Sequence, residues 1–182
     1  FKAILIIYAI IFSLFLFLAI PGLYNYQNYY DQIKKQTLLD FKFKVENITE
    51  IKYRFVPKPH ILIKNANIAF AKDKESQFAK LKDLKLYISL IDFYKKNKIS
   101  IKKIVIKNGS FYFKKKTFFN FTEHLNKTII KPIKVVNSNF FHLTENEDVA
   151  NISPIKELDY FIDSKLNEKN LKIEGKLFDV NY

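Results

Sequence analysis

Ile61-Leu62-Ile63-Lys64-Asn65-Ala66-Asn67-Ile68 places apolar residues at alternate positions, breaks off at an asparagine, and then resumes. The same order recurs at Ile104-Val105-Ile106-Lys107-Asn108-Gly109-Ser110-Phe111 and at Ile133-Lys134-Val135-Val136-Asn137-Ser138-Asn139-Phe140. A period of two puts every second side chain on one face of a strand. Asparagine tolerates left-handed backbone better than most residues. Each copy therefore reads as a strand, a bulge or tight turn at Asn, and a strand that returns to the same apolar face. This weak repeat predicts a sheet.

Working outward, the alternation continues. Phe41, Phe43 and Val45 alternate with Lys42, Lys44 and Glu46; Ile51, Tyr53 and Phe55 alternate with Lys52 and Arg54, until Pro57-Lys58-Pro59 ends the run. Leu84, Leu86, Ile88 and Leu90 share one phase, as do Leu158, Tyr160, Ile162 and Leu166, with Asp159, Asp163 and Lys165 in the other. Asn167-Glu168-Lys169-Asn170 reads as a hairpin turn into Leu171–Gly175. Ser153-Pro154 resembles a helix start, but the period after it favours a strand. Such one-sided alternation implies one apolar face and one solvated, charged face, in antiparallel strands joined by short turns. Helical signals within the domain are short: Leu90–Lys96, and Asn120–Ile129 with Asn120 as cap and Glu123 three residues on. The expected fold is mainly β, a curved, mostly antiparallel, one-sided sheet forming an open groove with few short helices to cover it.

Ahead of the sheet, Ala3–Ile20 carries no charge, and Ser13 is its one clearly polar residue. As a helix it would extend roughly 27 Å, close to the hydrocarbon thickness of a bilayer. A secretory signal peptide is the rival reading; its apolar core is shorter, about 7–15 residues, and ends at a small-x-small site that is missing before Pro21-Gly22. The run is read as an uncleaved anchor. Leu23, Tyr26, Tyr30 and Ile33 then recur at helical spacing up to Leu39. Tyr24, Tyr26, Tyr29 and Tyr30 fall where an interfacial aromatic belt would sit. This stretch is either a membrane-surface helix or the first helix of the domain, packed on a sheet. The expected division is an anchor over 1–22, a juxtamembrane helix over 23–40 and a β-domain over 41–182 that continues past the last residue.

The net charge of +13 suggests nucleic acid, yet Arg54 is the single arginine. Base readers rely on arginine's bidentate fork, and scattered lysine suits anionic headgroups better. No nucleic-acid partner is expected. Cysteine is absent, which removes disulfides, thiolate metal sites and a Cys nucleophile. His60, His124 and His142 lack ligand spacing, and three glycines make no phosphate loop. The five Asn-x-Ser/Thr sequons, at 47, 108, 120, 126 and 151, are what an Asn-rich chain produces by chance. Neither an enzyme, a cofactor nor a metal site is expected.

The order of anchor, helix and strands Phe41–Glu46 and Ile51–Phe55, then Phe55-Val56-Pro57-Lys58-Pro59 and Ile61–Asn65, resembles the N-terminus of the AsmA family. Ala79–Leu90 and Ile99–Gly109 continue the likeness, although the family's leucine-rich turn is altered here to Ile91-Asp92-Phe93-Tyr94. The resemblance covers nearly the whole chain by pattern. It implies a bacterial inner-membrane, single-pass protein whose periplasmic β-groove conducts phospholipids between inner and outer membranes. It relates the chain to TamB-like and bridge-like lipid-transfer proteins. Acyl chains would then occupy the apolar face. The alternative is a structural factor for outer-membrane protein assembly, pairing its strand edges with clients or other envelope proteins.

On the first reading Phe41, Phe43, Val45, Ile51, Tyr53, Phe55, Leu84, Leu86, Ile88, Ile104, Ile106, Tyr160 and Ile162 share one concave, lipid-facing side. Lys42, Lys44, Lys52, Arg54, Lys85, Asp159 and Asp163 take the convex side. Aspartate at Phe43 or Ile88 is expected to reduce lipid occupancy more than fold stability, because an open groove hydrates a charge.

Overall fold

In the computed structural model, which describes residues 2–70, 77–96, 98–115, 131–163, 168–177 and 180–181, the apolar start forms α1 (Lys2–Ala19), none of it buried. It is long and apolar enough to cross a bilayer. Pro21, in the first positions of the 3-10 turn Ile20–Leu23, closes it off. A second 3-10 turn, Tyr26–Tyr29, leads into α2 (Tyr30–Phe41).

α2 buries Ile33, Thr37 and Phe41, one residue every four, so a single stripe faces the protein. The Thr37 hydroxyl donates to the Ile33 carbonyl at 2.9 Å, which lets a polar group sit in that stripe. Gln32 accepts the Ile99 backbone N–H at 3.4 Å, and Asp40 pairs with Lys131. Of the two readings of this stretch, the helix packed on the sheet is the one observed. Phe41 is its last residue rather than the first of a strand. Its spacing from Ile33 and Thr37 fits the helical stripe, and Lys42, at φ 55°, closes the helix by donating to the Leu38 carbonyl at 3.0 Å. Lys42 is thus a helix cap, not a strand residue. Three of the four tyrosines differ from a lipid-facing belt: Tyr26 is buried, and Tyr29 and Tyr30 are half-buried against the core, whereas Tyr24 is exposed.

The strands are β1 (Phe43–Glu46), β2 (Glu50–Arg54), β3 (His60–Phe70), β4 (Gln77–Ile88), β5 (Ile101–Lys114), β6 (Ile133–Leu143), β7 (Val149–Asp163), β8 (Glu168–Leu177) and β9 (Val180–Asn181). α3 (Leu90–Lys96) lies between β4 and β5, where helical spacing placed it. The nine strands form one open sheet in the order β1-β3-β4-β5-β6-β7-β8-β9, with β2 laid beyond β1 on the same side of β3. Every described pairing is antiparallel except β5 with β6. A parallel pair needs a crossover connection. Residues 116–130, and with them the expected helix Asn120–Ile129, lie outside the described residues. The hairpin turn expected at 167–170 is displaced: Glu168–Asn170 already pair with Asp163, Ile162 and Phe161. Pro154 is tolerated inside β7 because it pairs with Asn139 of β6 at a point where β8 has not yet joined.

The asparagine of each repeat lies in left-handed backbone: φ is 49° at Asn65, 54° at Asn108 and 48° at Asn137. The three positions align across the sheet. Asn65 and Asn108 both stand opposite Lys82 of β4, and Asn137 stands opposite Lys156 of β7, between flanking pairs of regular register. Along this row the buried residues step by three instead of two: Ile63 to Ala66, Leu81 to Leu84, Ile106 to Gly109, Val135 to Ser138 and Ile155 to Leu158. Since β3, β4, β5, β6 and β7 each take the extra residue at the same level, pairing among them survives and the apolar face is kept; β8 lacks it, and the β7–β8 register shifts between Ile155 and Glu157. On the edge, residues 47–49 between β1 and β2 continue the row, with Asn47 at φ 52°. Extra residues of this kind bend and twist a strand; aligned, they form a crease.

Candidate functional site

The crease divides the apolar face into two halves. The lower half, which carries the β2–β3 connection and α3, abuts the end of α1. There Tyr53 donates its hydroxyl to the Leu18 carbonyl at 2.9 Å, and Tyr94 donates to the Phe17 carbonyl at 2.6 Å. These belong to the last four carbonyls of α1, which have no partner within the helix. Phe15 meets Phe55 edge-on at 5.9 Å, and Phe17 stacks on Tyr94 at 4.8 Å. Burial pushes the Tyr53 phenol up to about 12, and like burial raises that of Tyr26, which stacks on Tyr53 at 5.9 Å. Both phenols stay neutral; Tyr53 donates to Leu18, whereas the buried Tyr26 hydroxyl has no hydrogen-bond partner among the described residues.

Among the thirteen residues expected on the apolar side, ten are buried together: Phe41, Phe43, Val45, Ile51, Leu84, Leu86, Ile88, Ile104, Ile106 and Tyr160. Ile162 is half-buried. Tyr53 and Phe55 are engaged by α1, as described, and Phe41 reaches the same core from α2. Charged residues fill the opposite side. Lys134 lies between Glu157 and Asp159, Lys103 is 3.8 Å from Asp159, and Lys64 pairs with Asp83.

Beyond the crease the upper half is aromatic. Phe70 stacks on Phe78 at 4.2 Å, Phe78 on Phe113 at 5.8 Å, and Phe140 meets Phe111 edge-on at 4.9 Å. A cleft straddles the crease here. Phe43, Ile68 and Phe78 line it from β1, β3 and β4; Ile106, Phe111, Ile133, Val135 and Phe140 from β5 and β6; Leu158 and Tyr160 from β7. Not one lining residue is charged, and the cavity is about 20 Å³, near the room of a single water. The arrangement offers no nucleophile or acid–base pair; what it can do is hold apolar matter. Among the described residues no cluster of His, Asp and Glu could hold a metal ion.

Seven lining residues, Ile68, Phe78, Phe111, Ile133, Val135, Phe140 and Leu158, are not among the thirteen expected on the lipid-facing side, although Leu158 shares the phase of Tyr160. The signal was present, since the residue three places beyond each repeat's asparagine resumes the apolar phase. Applying that step to Asn65, Asn108 and Asn137 gives Ile68, Phe111 and Phe140. No family model matches the chain, and no curated protein does.

Proposed function

We propose that this chain is an AsmA-like protein of the bacterial inner membrane that binds phospholipids and conducts them toward the outer membrane along its apolar β-face. α1 is the single-pass anchor and the sheet stands in the periplasm. The supporting observation is the continuity of the apolar face. It runs from the foot of α1, beneath α2 and across the crease, to a cleft lined by apolar and aromatic side chains alone. A soluble enzyme site would gather polar groups in such a place; this one has an acyl chain as its chemical complement.

The cleft is too narrow for a whole acyl chain, so loading separates its walls. The test is photolabelling of the full chain in vesicles containing a phospholipid with a photoactivatable acyl chain. Adducts on Phe78, Phe111 or Phe140 are expected. Adducts confined to α1 would overturn the reading.

A second reading, an assembly factor for outer-membrane proteins, is favoured by one observation. β8 leaves Leu171 and Ile173 half-exposed near an edge where, among the described residues, the two-residue β9 pairs with it. An unpaired edge can template a client strand. A proline placed in β8 would abolish client capture on that reading and leave photolabelling of the cleft unchanged.

A further inference from the structure

We infer that the foot of the sheet is itself seated in the bilayer, so that the protein holds its membrane by two contacts rather than one. The inference rests on α1 spanning the membrane. Phe15 and Phe17 lie five and three residues before Ile20, or roughly 8 and 5 Å along the helix. Phe55 packs on the first and Tyr94 on the second. If α1 is at its spanning depth, Phe55 and Tyr94 share that depth. They sit near the boundary of headgroup and acyl chain, where interfacial elements settle about 5–10 Å deep.

Their neighbours are built for that position. Val56, next to Phe55, is 67% exposed, and Ile91, one turn before Tyr94 on the same side of α3, is 63% exposed. Leu23 is 86% exposed, and Tyr24 beside it meets Phe93 of α3 at 5.2 Å. Three separate segments thus present large apolar side chains around the base of one apolar helix. Exposed lysines on the same segments, Lys58 and Lys95, are placed for anionic headgroups. The two tyrosine hydrogen bonds to α1 carbonyls prevent the foot from swinging free. The occupant of this surface is the bilayer that α1 crosses, and the lower end of the apolar face opens at its interface.

The chain has no tryptophan, so single reporters are clean. Val56→Trp, Ile91→Trp, Leu14→Trp and Val149→Trp are made in the full chain and reconstituted in phosphatidylglycerol-containing vesicles. In separate preparations a fraction of the lipid carries bromine near the carbonyl end or deeper in its acyl chains. Val149, at the far end of β7, is 52% exposed. The expected result is a blue shift and loss of emission at positions 56 and 91, and neither at 149. If 56 and 91 behave like 149 while Leu14→Trp is quenched by bromines deeper in the chain, the second contact is refuted and the anchor stands. An unquenched Leu14→Trp removes the spanning helix and this inference with it.

Discussion

Asn108 occupies left-handed backbone in the middle of the sheet, beside Gly109, whose N–H donates to the Ser138 hydroxyl at 2.9 Å. The Ser138 hydroxyl in turn donates to the Val136 carbonyl, so the crease keeps its own polar groups satisfied. Asn108→Ala should lower stability by about 1 kcal/mol, the cost of forcing a Cβ-bearing residue without a compensating side chain into that region. Asn108→Gly should stay within about 0.5 kcal/mol of the parent. Urea unfolding of the two variants makes the comparison, and equal losses would show that the backbone conformation is not what Asn108 supplies. His60 sets a pH dependence. It is buried beside Tyr87, and burial lowers its pKa; the bond of its ring nitrogen to the Lys58 carbonyl at 2.8 Å works the other way, while Lys85 and Arg54 add to the lowering. With the folded value below the unfolded one, the unfolded chain binds more protons in the window between them. This part of the stability is therefore intact above the ordinary histidine pKa of about 6.5 and declines as pH falls through and below it. The urea midpoint should fall between about pH 7.5 and pH 5.5, and His60→Phe should flatten that histidine component.

At the scale of elements, α2 matters most. It is polar on most of its surface, and its three buried residues are what fix it to the sheet. Phe41→Ala removes a fully buried ring at the joint between α2 and β1 and should cost about 3–5 kcal/mol in thermal or urea unfolding. Substituting exposed Leu39 in the same turn by Ala should stay within about 0.5 kcal/mol. A reversal of that order would mean that α2 lies on the membrane through Leu39 instead of on the sheet through Phe41.

Across the whole molecule, the sheet is open, as expected, and its apolar face is covered in part by α2 and its own side chains. Phe43 is 6% exposed and touches Phe70 and Phe78; Ile88 is 7% exposed. A carboxylate at either place is desolvated without a partner. Contrary to the sequence-based expectation, Phe43→Asp should destabilise the fold itself by several kcal/mol. Ile152→Asp, at a position 46% exposed on β7, should be near neutral. Circular dichroism melts of the pair test this directly. Lipid occupancy is better probed by Phe111→Trp or Phe140→Trp, which keep the cleft apolar while altering its width.

Period and composition alone determined the long apolar N-terminal helix, the strands, the short helix at Leu90–Lys96 and the special backbone at three asparagines. Each of these is local: an apolar run, an alternation of two, or a residue that tolerates positive φ carries its meaning within a few positions. What the chain in isolation left open was decided by packing. Phe41 fits a strand period and a helix period equally, and only Ile33 and Thr37 on the same stripe, buried against the sheet, resolve it. The alignment of Asn65, Asn108 and Asn137 into one crease depends on strand register. So does the parallel pairing of β5 with β6, which no alternation can encode. The capture of α1 by Tyr53 and Tyr94, 35 and 77 residues away from their acceptors, is a long-range contact. Sequence supplies its chemistry; only the assembled sheet brings the hydroxyls to the helix end, where carbonyls lack partners.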